Sequence, residues 1–166
     1  LWEILQEDSH APRLASRLSM TNFPVSKLST AAGLVAASSR QSTEVRLFGR
    51  NLTRLPPLRT RGKFVDDLAL DANGERLAVG TIDGQVSLYS LEDPEEAPTR
   101  LFRATCTESY MQTRSSSSSF GSFFSGFHFL PSGKLLVAVH GKGSGAALID
   151  VDSSGALAAE SKPWIC

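Results

Sequence analysis

The chain has 166 residues, of which 41% are apolar and 8% aromatic, and its 17 basic residues balance its 17 acidic ones. This composition is typical of a globular protein and excludes a collagen-like, disordered or disulfide-rich chain. The longest purely apolar run, Leu135 to Val139, is far shorter than the roughly 20 residues of a membrane-spanning helix. No membrane span is therefore predicted.

The first residues and the cysteines bear on the location of the protein. The opening segment, LWEILQEDSH, has no basic region ahead of an apolar one, so it does not predict a secretory signal peptide. Cys106 and Cys166 are too few for a disulfide framework or a zinc site. We expect an intracellular protein, in the cytoplasm or the nucleus. The missing initiator methionine predicts processing or a longer parent chain.

In chain order, residues 1–22 predict the end of a preceding sheet, with LWEIL as its third strand and RLASRLSM as its fourth. Residues 23–62 then place alternating apolar residues on both sides of a turn at Gly33, the pattern of an antiparallel hairpin. The last strand of this segment is predicted from Arg54 to about Leu58.

Residues 63–105 have the clearest pattern. The pairs Asn73-Gly74 and Asp83-Gly84 tolerate positive φ and so can close tight hairpins. Between them, Leu77 and Val79 fall on one face, as half-buried strands require. The predicted strands are Phe64 to Leu70, Glu75 to Gly80, Gln85 to Ser90 and Thr99 to Ala104.

Residues 124–166 repeat the same plan, with a turn at Gly133 and a last strand predicted from Ala156 to Glu160. The turn glycines are 41 residues apart between Gly33 and Gly74, and 59 apart between Gly74 and Gly133. The excess of 18 residues corresponds to a polar, serine-rich insert at 106–123.

A repeat of about 40 to 45 residues with four antiparallel strands is the unit of a β-propeller. The sequence therefore predicts an all-β fold of radially arranged four-stranded blades, roughly three and a half in number. Closed propellers have about 4 to 8 blades, so we expect a section of a larger propeller. A self-contained four-bladed ring is the alternative.

The segment TIDGQVSLYS, from Thr81 to Ser90, resembles the WD-repeat propeller family. Asp83 stands where that family has the structural aspartate of a tight turn, and Tyr89 where it has tryptophan. The resemblance implies that Asp83 accepts hydrogen bonds in the turn and holds the blade together. With this aspartate, the predicted structural turn residues are Gly74, Gly84 and Gly133.

Catalytic motifs are weak in this sequence. Gly141, Gly143 and Ala146 match a loose dinucleotide fingerprint, but a β-like segment follows where a helix is required. The three histidines, His10, His128 and His140, are scattered over a tail, a strand and a turn. We predict no enzyme activity, no catalytic residue, no cofactor and no metal. The alternative is a propeller enzyme of the lactonase or hydrolase kind, which LDANGERLAV also resembles.

The balanced net charge hides an uneven distribution. From Arg40 to Lys63, seven basic residues accompany one acidic residue, Glu44. Such a stretch is either a solvated outer strand and loop, which we favour, or a surface for an acidic protein or nucleic acid. The candidate basic surface comprises Arg46, Arg50, Arg54, Arg59, Arg61 and Lys63.

The insert at 106–123 is not explained by the blade repeat. It carries Tyr110, Met111, Phe120 and Phe123, and aromatic residues and methionine are enriched in interface cores. These four residues form the candidate partner surface. The sequence as a whole predicts a non-catalytic protein–protein interaction scaffold that binds other proteins of a multi-subunit complex, with nucleic acid the less favoured partner.

Overall fold

The computed structural model describes residues 2–3, 13–14, 20, 22–61, 63–93, 95–105, 124–139 and 145–150. Within these residues, 13 β-strands form four antiparallel sheets, and one short 3-10 turn spans Arg50–Leu52. The predicted all-β architecture of four-stranded antiparallel blades is therefore confirmed.

Each sheet is formed by strands that follow one another in the chain, as in a meander. A two-stranded sheet joins β1 (Trp2–Glu3) to β2 (Arg13–Leu14). Blade 1 contains, in order, β3 (Lys27–Ala31), β4 (Leu34–Ser38), β5 (Glu44–Phe48) and β6 (Leu58–Arg59). Blade 2 contains β7 (Val65–Leu70), β8 (Arg76–Thr81), β9 (Gln85–Ser90) and β10 (Thr99–Thr105). Blade 3 contains β11 (Phe124–Phe129), β12 (Leu135–Val139) and β13 (Gly145–Ile149).

Four hairpin turns contain a glycine in the left-handed region. Gly33, Gly74, Gly84 and Gly133 have φ values of 82°, 73°, 80° and 82°, which side chains rarely adopt. The turn at Gly74 is also held by Asp71, whose Oδ1 accepts the N–H groups of Glu75 and Arg76 at 2.8 and 3.0 Å. The sequence pattern did not single out this aspartate.

The outer strand of blade 1 is shorter and later than predicted. Instead of a strand from Arg54 to Leu58, the chain forms one bridge between Arg54 and Phe48 and then the two-residue strand β6. The intervening Pro56 and Pro57 have no N–H group and cannot extend the ladder of hydrogen bonds. The strand predicted at Ala156 to Glu160 lies outside the described residues.

The first two strands of blade 2, β7 and β8, are buried on both faces, whereas the alternation in β8 predicts half-burial. All residues of β7 are buried, and so are those of β8 except Arg76. The alternation instead divides residues between two cores, because a neighbouring blade covers each face. Leu77 and Val79 pack with blade 1, whereas Ala78 packs with blade 3.

Consecutive aspartates on β7 bind the two neighbouring blades. A register irregularity between Val65 and Asp67 leaves Asp66 unmatched on β8, as in a β-bulge. Asp66 Oδ2 accepts the N–H of Phe124 in blade 3 at 2.8 Å, and Asp67 Oδ1 lies 3.1 Å from Lys27 Nζ in blade 1. These contacts hold the first strands of the three blades side by side.

Candidate interaction groove

A groove of about 530 Å³ opens between the outer parts of blades 1 and 2. This volume lies within the range of ligand-binding clefts, roughly 300–1,000 Å³. Its floor belongs to blade 2 and consists of Val79, Thr81, Gln85, Ser87 and Tyr89. One wall is residues 57–61 of blade 1 with Lys63 from the connection to blade 2, and the other is Ala97, Pro98, Arg100 and Arg103.

The floor follows from the alternation of β9. Gln85, Ser87 and Tyr89 point toward blade 1, while Val86 and Leu88 between them pack in the core with blade 3. Tyr89 is buried in the core shared by blades 1 and 2, so it anchors the floor and offers little surface. The floor is therefore a hydrogen-bonded sheet whose polar side chains are Thr81, Gln85 and Ser87.

A bulge in β10 builds the wall on the blade 2 side. Arg100 lies opposite Tyr89, Phe102 opposite Leu88, and Arg103 opposite Ser87, which makes Leu101 the extra residue. In a regular strand, residues three apart point to opposite faces of the sheet. The bulge instead brings Arg100 and Arg103 to one face, and both line the groove.

The groove is basic. No Asp or Glu lines it. Five cations do: Arg59, Arg61, Lys63, Arg100 and Arg103. All five are exposed, and within the described part of the chain no ion pair joins the four arginines to a carboxylate. Clefts lined by one sign of charge concentrate oppositely charged ligands. The groove is therefore suited to an anion.

Asp83 neutralises the fifth cation beside the floor. Its Oδ2 lies 3.2 Å from Lys63 Nζ, and its Oδ1 accepts the hydroxyl of Thr81 at 2.6 Å. Burial alone would raise the pKa of Asp83, but the hydrogen bonds from Thr81 and Lys63 and the charge of Lys63 outweigh it and lower the pKa below its ordinary value. The carboxylate is thus charged and bound within the second hairpin of blade 2.

The structure divides the predicted basic surface in two. Arg59, Arg61 and Lys63 line the groove, whereas Arg46, Arg50 and Arg54 do not. Arg46 pairs with Glu44 at 3.2 Å and lies 4.0 Å from the centre of the Phe23 ring. The Arg50 side chain lies against the turn at Gly33.

Sequence reasoning missed Arg100 and Arg103 because a bulge cannot be seen in apolar alternation. Their one visible signal is the pair of positive charges in a predicted outer strand. The predicted partner residues Tyr110, Met111, Phe120 and Phe123 lie outside the described residues, as do His10, His140, Gly141 and Gly143. Of the remaining residues, His128 is exposed on β11 and Ala146 on β13.

No protein-family model and no curated protein matches this sequence. A similar solved structure is the C-terminal WD40 domain of Sif2, with a TM-score of 0.59 and 16% sequence identity. The match covers 81% of this chain and 36% of that one, so the chain spans about a third of the solved structure. The chain has the fold of a WD40 propeller section. The resemblance noted at TIDGQVSLYS is confirmed for the fold.

The described residues also bear on metal binding and on membrane insertion. They hold no group of three or more His, Cys, Asp or Glu side chains placed to bind a metal ion. A helix with the length and apolar character needed to cross a bilayer is likewise missing from them.

Proposed function

We propose that this protein is a non-catalytic interaction scaffold that holds a partner protein in the groove between blades 1 and 2. The groove itself carries this proposal. Its floor is a hydrogen-bonded sheet, so the binding surface exists before the partner arrives and little ordering entropy opposes association. Its walls present arginines whose charges are not neutralised by any described carboxylate.

The contacts of four aspartates favour a scaffold over a propeller enzyme. Asp66 and Asp67 hold neighbouring blades, Asp71 holds a turn, and Asp83 binds Thr81 and Lys63. A hydrolase of the lactonase kind needs acid–base groups that face a cleft. The residues that line this groove are cations and neutral side chains, which bind anions and do not exchange protons near neutral pH.

A protein partner is favoured over nucleic acid by the shape of the floor. Single-stranded nucleic acid is held by aromatic side chains on which bases stack, and the one aromatic residue of the groove, Tyr89, is buried. We place the protein inside the cell, among other subunits of a complex. The insert at 106–123 would supply a second contact surface through Tyr110, Met111, Phe120 and Phe123.

The test begins with the full-length protein purified from its native source under mild conditions. We expect a particle heavier than the protein alone, with a second protein that rebinds the purified chain in a saturable manner. A monomeric particle that hydrolyses lactones would overturn the proposal.

The contribution of the insert is separable from that of the groove. Residues 107–123 are replaced by a short Gly-Ser linker, and melting temperature and assembly are compared with the unmodified protein. Unchanged melting with lost assembly would assign the partner contact to the insert. Unchanged assembly would leave the groove as the contact.

A further inference from the structure

We infer that the groove binds an extended, acidic segment of the partner, whose Asp or Glu residues alternate along a strand. This inference rests on the proposed function and specifies the chemistry of its ligand. Three observations carry it: the arginines of the two walls, the bulge that aligns two of them, and the position of β10 in its sheet.

The type of cation favours carboxylates. Four of the five basic side chains are arginines, two on each side of the groove. The planar guanidinium donates two parallel hydrogen bonds to a carboxylate, which a lysine ammonium cannot do. An acidic side chain in the groove therefore meets arginines from both blades. The fifth cation, Lys63, is already paired with Asp83.

The protein's own acids leave these arginines available. The loop after β9 carries Glu92, Asp93, Glu95 and Glu96, and it leads directly into Ala97 and Pro98 of the groove wall. All four acids are exposed, and in the described residues none forms an ion pair with an arginine of the groove. The acidic loop borders the groove without occupying it.

The sheet geometry favours an extended ligand. Among the described residues, β10 is the edge strand of blade 2 and pairs with β9 on one side. An extended segment can pair with such an edge through its backbone, and its alternate side chains then point to one face. Because the bulge puts Arg100 and Arg103 on the groove face, acidic residues at alternate positions would lie beside them.

The experiment measures binding of three fluorescent eight-residue peptides to the full-length protein. The first alternates Glu with Thr, the second alternates Gln with Thr, and the third has four Glu followed by four Thr. We expect the alternating Glu peptide to bind most tightly, to weaken as salt is added, and to displace the native partner.

Variants of each wall test the location. Arg100→Gln with Arg103→Gln should weaken the alternating Glu peptide about tenfold or more, and so should Arg59→Gln with Arg61→Gln. The matched control is Arg50→Gln with Arg54→Gln, which removes the same charge outside the groove and should change affinity within about twofold. All six side chains are exposed, so folding is retained and is checked by melting temperature.

Several results would overturn the inference. If the control variant weakens peptide binding as much as the groove variants do, only net charge matters. If the Gln peptide binds as tightly as the alternating Glu peptide, the groove does not recognise carboxylates. Tighter binding of the block peptide would exclude the alternating strand. An eight-nucleotide single-stranded DNA that binds more tightly and displaces the peptide would assign the groove to nucleic acid. If the native partner stays bound when the groove arginines are replaced, this inference fails while the scaffold function stands.

Discussion

Blade 2 meets its two neighbours in different ways. Toward blade 3 the contact is closed across the sheet: Phe102 of the outer strand β10 joins Phe124, Phe129 and Leu135 in one buried core. Gly80 allows this approach, since a Cβ atom there would lie 2.6 Å from ring atoms of Phe124. The interface between blades 2 and 3 is therefore packed from its inner to its outer strand.

Toward blade 1 the buried core reaches Leu58 of β6 and Tyr89 of β9, but it includes no described residue of the outer strand β10. Leu47, Leu77 and Val79 share this core, and the N–H of Leu70 donates to Ser29 Oγ at 2.9 Å. Farther out, blade 1 offers a strand of two residues where blade 2 has one of seven. The basic groove lies beside this short strand, since both residues of β6 line it.

The polar contact with blade 3 is also more buried than the polar contact with blade 1. Asp66 binds a backbone N–H of the fully buried Phe124, whereas Asp67 pairs with Lys27, whose side chain is 32% exposed. The contact with blade 3 is sealed, and the contact with blade 1 reaches solvent. The first interface therefore mainly stabilises the fold, whereas the second leaves the groove that we propose as a binding site.

The largest expected effect is at the sealed interface. Phe124→Ala should lower the free energy of unfolding by about 3–5 kcal/mol, because it leaves a cavity among rigid neighbours. Urea unfolding followed by fluorescence measures it. The control is Phe64→Ala, at a side chain 38% exposed on the surface, which should have a much smaller effect. Equal losses at the two positions would contradict a packed interface between blades 2 and 3.

Overpacking the same interface should cost less. A methyl group at Gly80 would lie 2.6 Å from ring atoms of both Phe124 and Phe127, so Gly80→Ala should destabilise the protein by about 1–3 kcal/mol. Gly126→Ala is the matched control, since no atom lies within 4 Å of a Cβ there. Thermal melting compares the two variants, and a Gly80→Ala protein as stable as Gly126→Ala would refute the close approach.

Much of this fold is readable from local sequence, because hairpins depend on neighbouring residues. The pairs Asn73-Gly74 and Asp83-Gly84 place the turns of blade 2, and the predicted strands agree with β7, β8 and β9 to within one residue. Half-burial was wrong for β8, since alternation cannot tell a solvent-facing side from one covered by another blade.

The candidate groove was only partly predictable. Arg59, Arg61 and Lys63 belong to a visibly basic stretch. That they line the groove while Arg46 and Arg50 do not depends on where β6 begins. The remaining groove arginines depend on the bulge at Leu101, which is set by pairing with β9. Non-local pairing therefore decides which charges share a surface.

A smaller effect is expected at the second hairpin of blade 2, beside the groove. Asp83→Ala removes the acceptor of the Thr81 hydroxyl and the partner of Lys63, and should cost about 1–2 kcal/mol. Chemical unfolding at neutral pH measures this loss. A variant as stable as the parent would show that Asp83 does not hold the turn.

The pH dependence identifies how Asp83 acts. Its pKa in the folded protein lies below the ordinary 3.8, so its charge stabilises the fold above that pH, and this contribution is lost as pH falls through the folded-state pKa. The stability difference between the parent and Asp83→Asn should be constant from about pH 7 to 5 and shrink below about pH 4. A difference that stays constant down to pH 2 would assign the effect to the shape of the side chain.

The smallest expected effect on stability is at the groove itself. Arg100 and Arg103 are exposed, lie beside other cations and lack a described acidic partner. Replacing both by Gln should change the free energy of unfolding by less than about 0.5 kcal/mol, and at low salt the change should be a gain, because repulsion between like charges is relieved. Melting at low and high ionic strength measures it, with Arg50→Gln and Arg54→Gln as the control. A gain that disappears in high salt would mean that repulsion between these arginines lowers the stability of the fold, as is common for the residues of binding sites. A clear loss of stability in the groove variant would instead make the arginines part of the interface that holds blades 1 and 2 together.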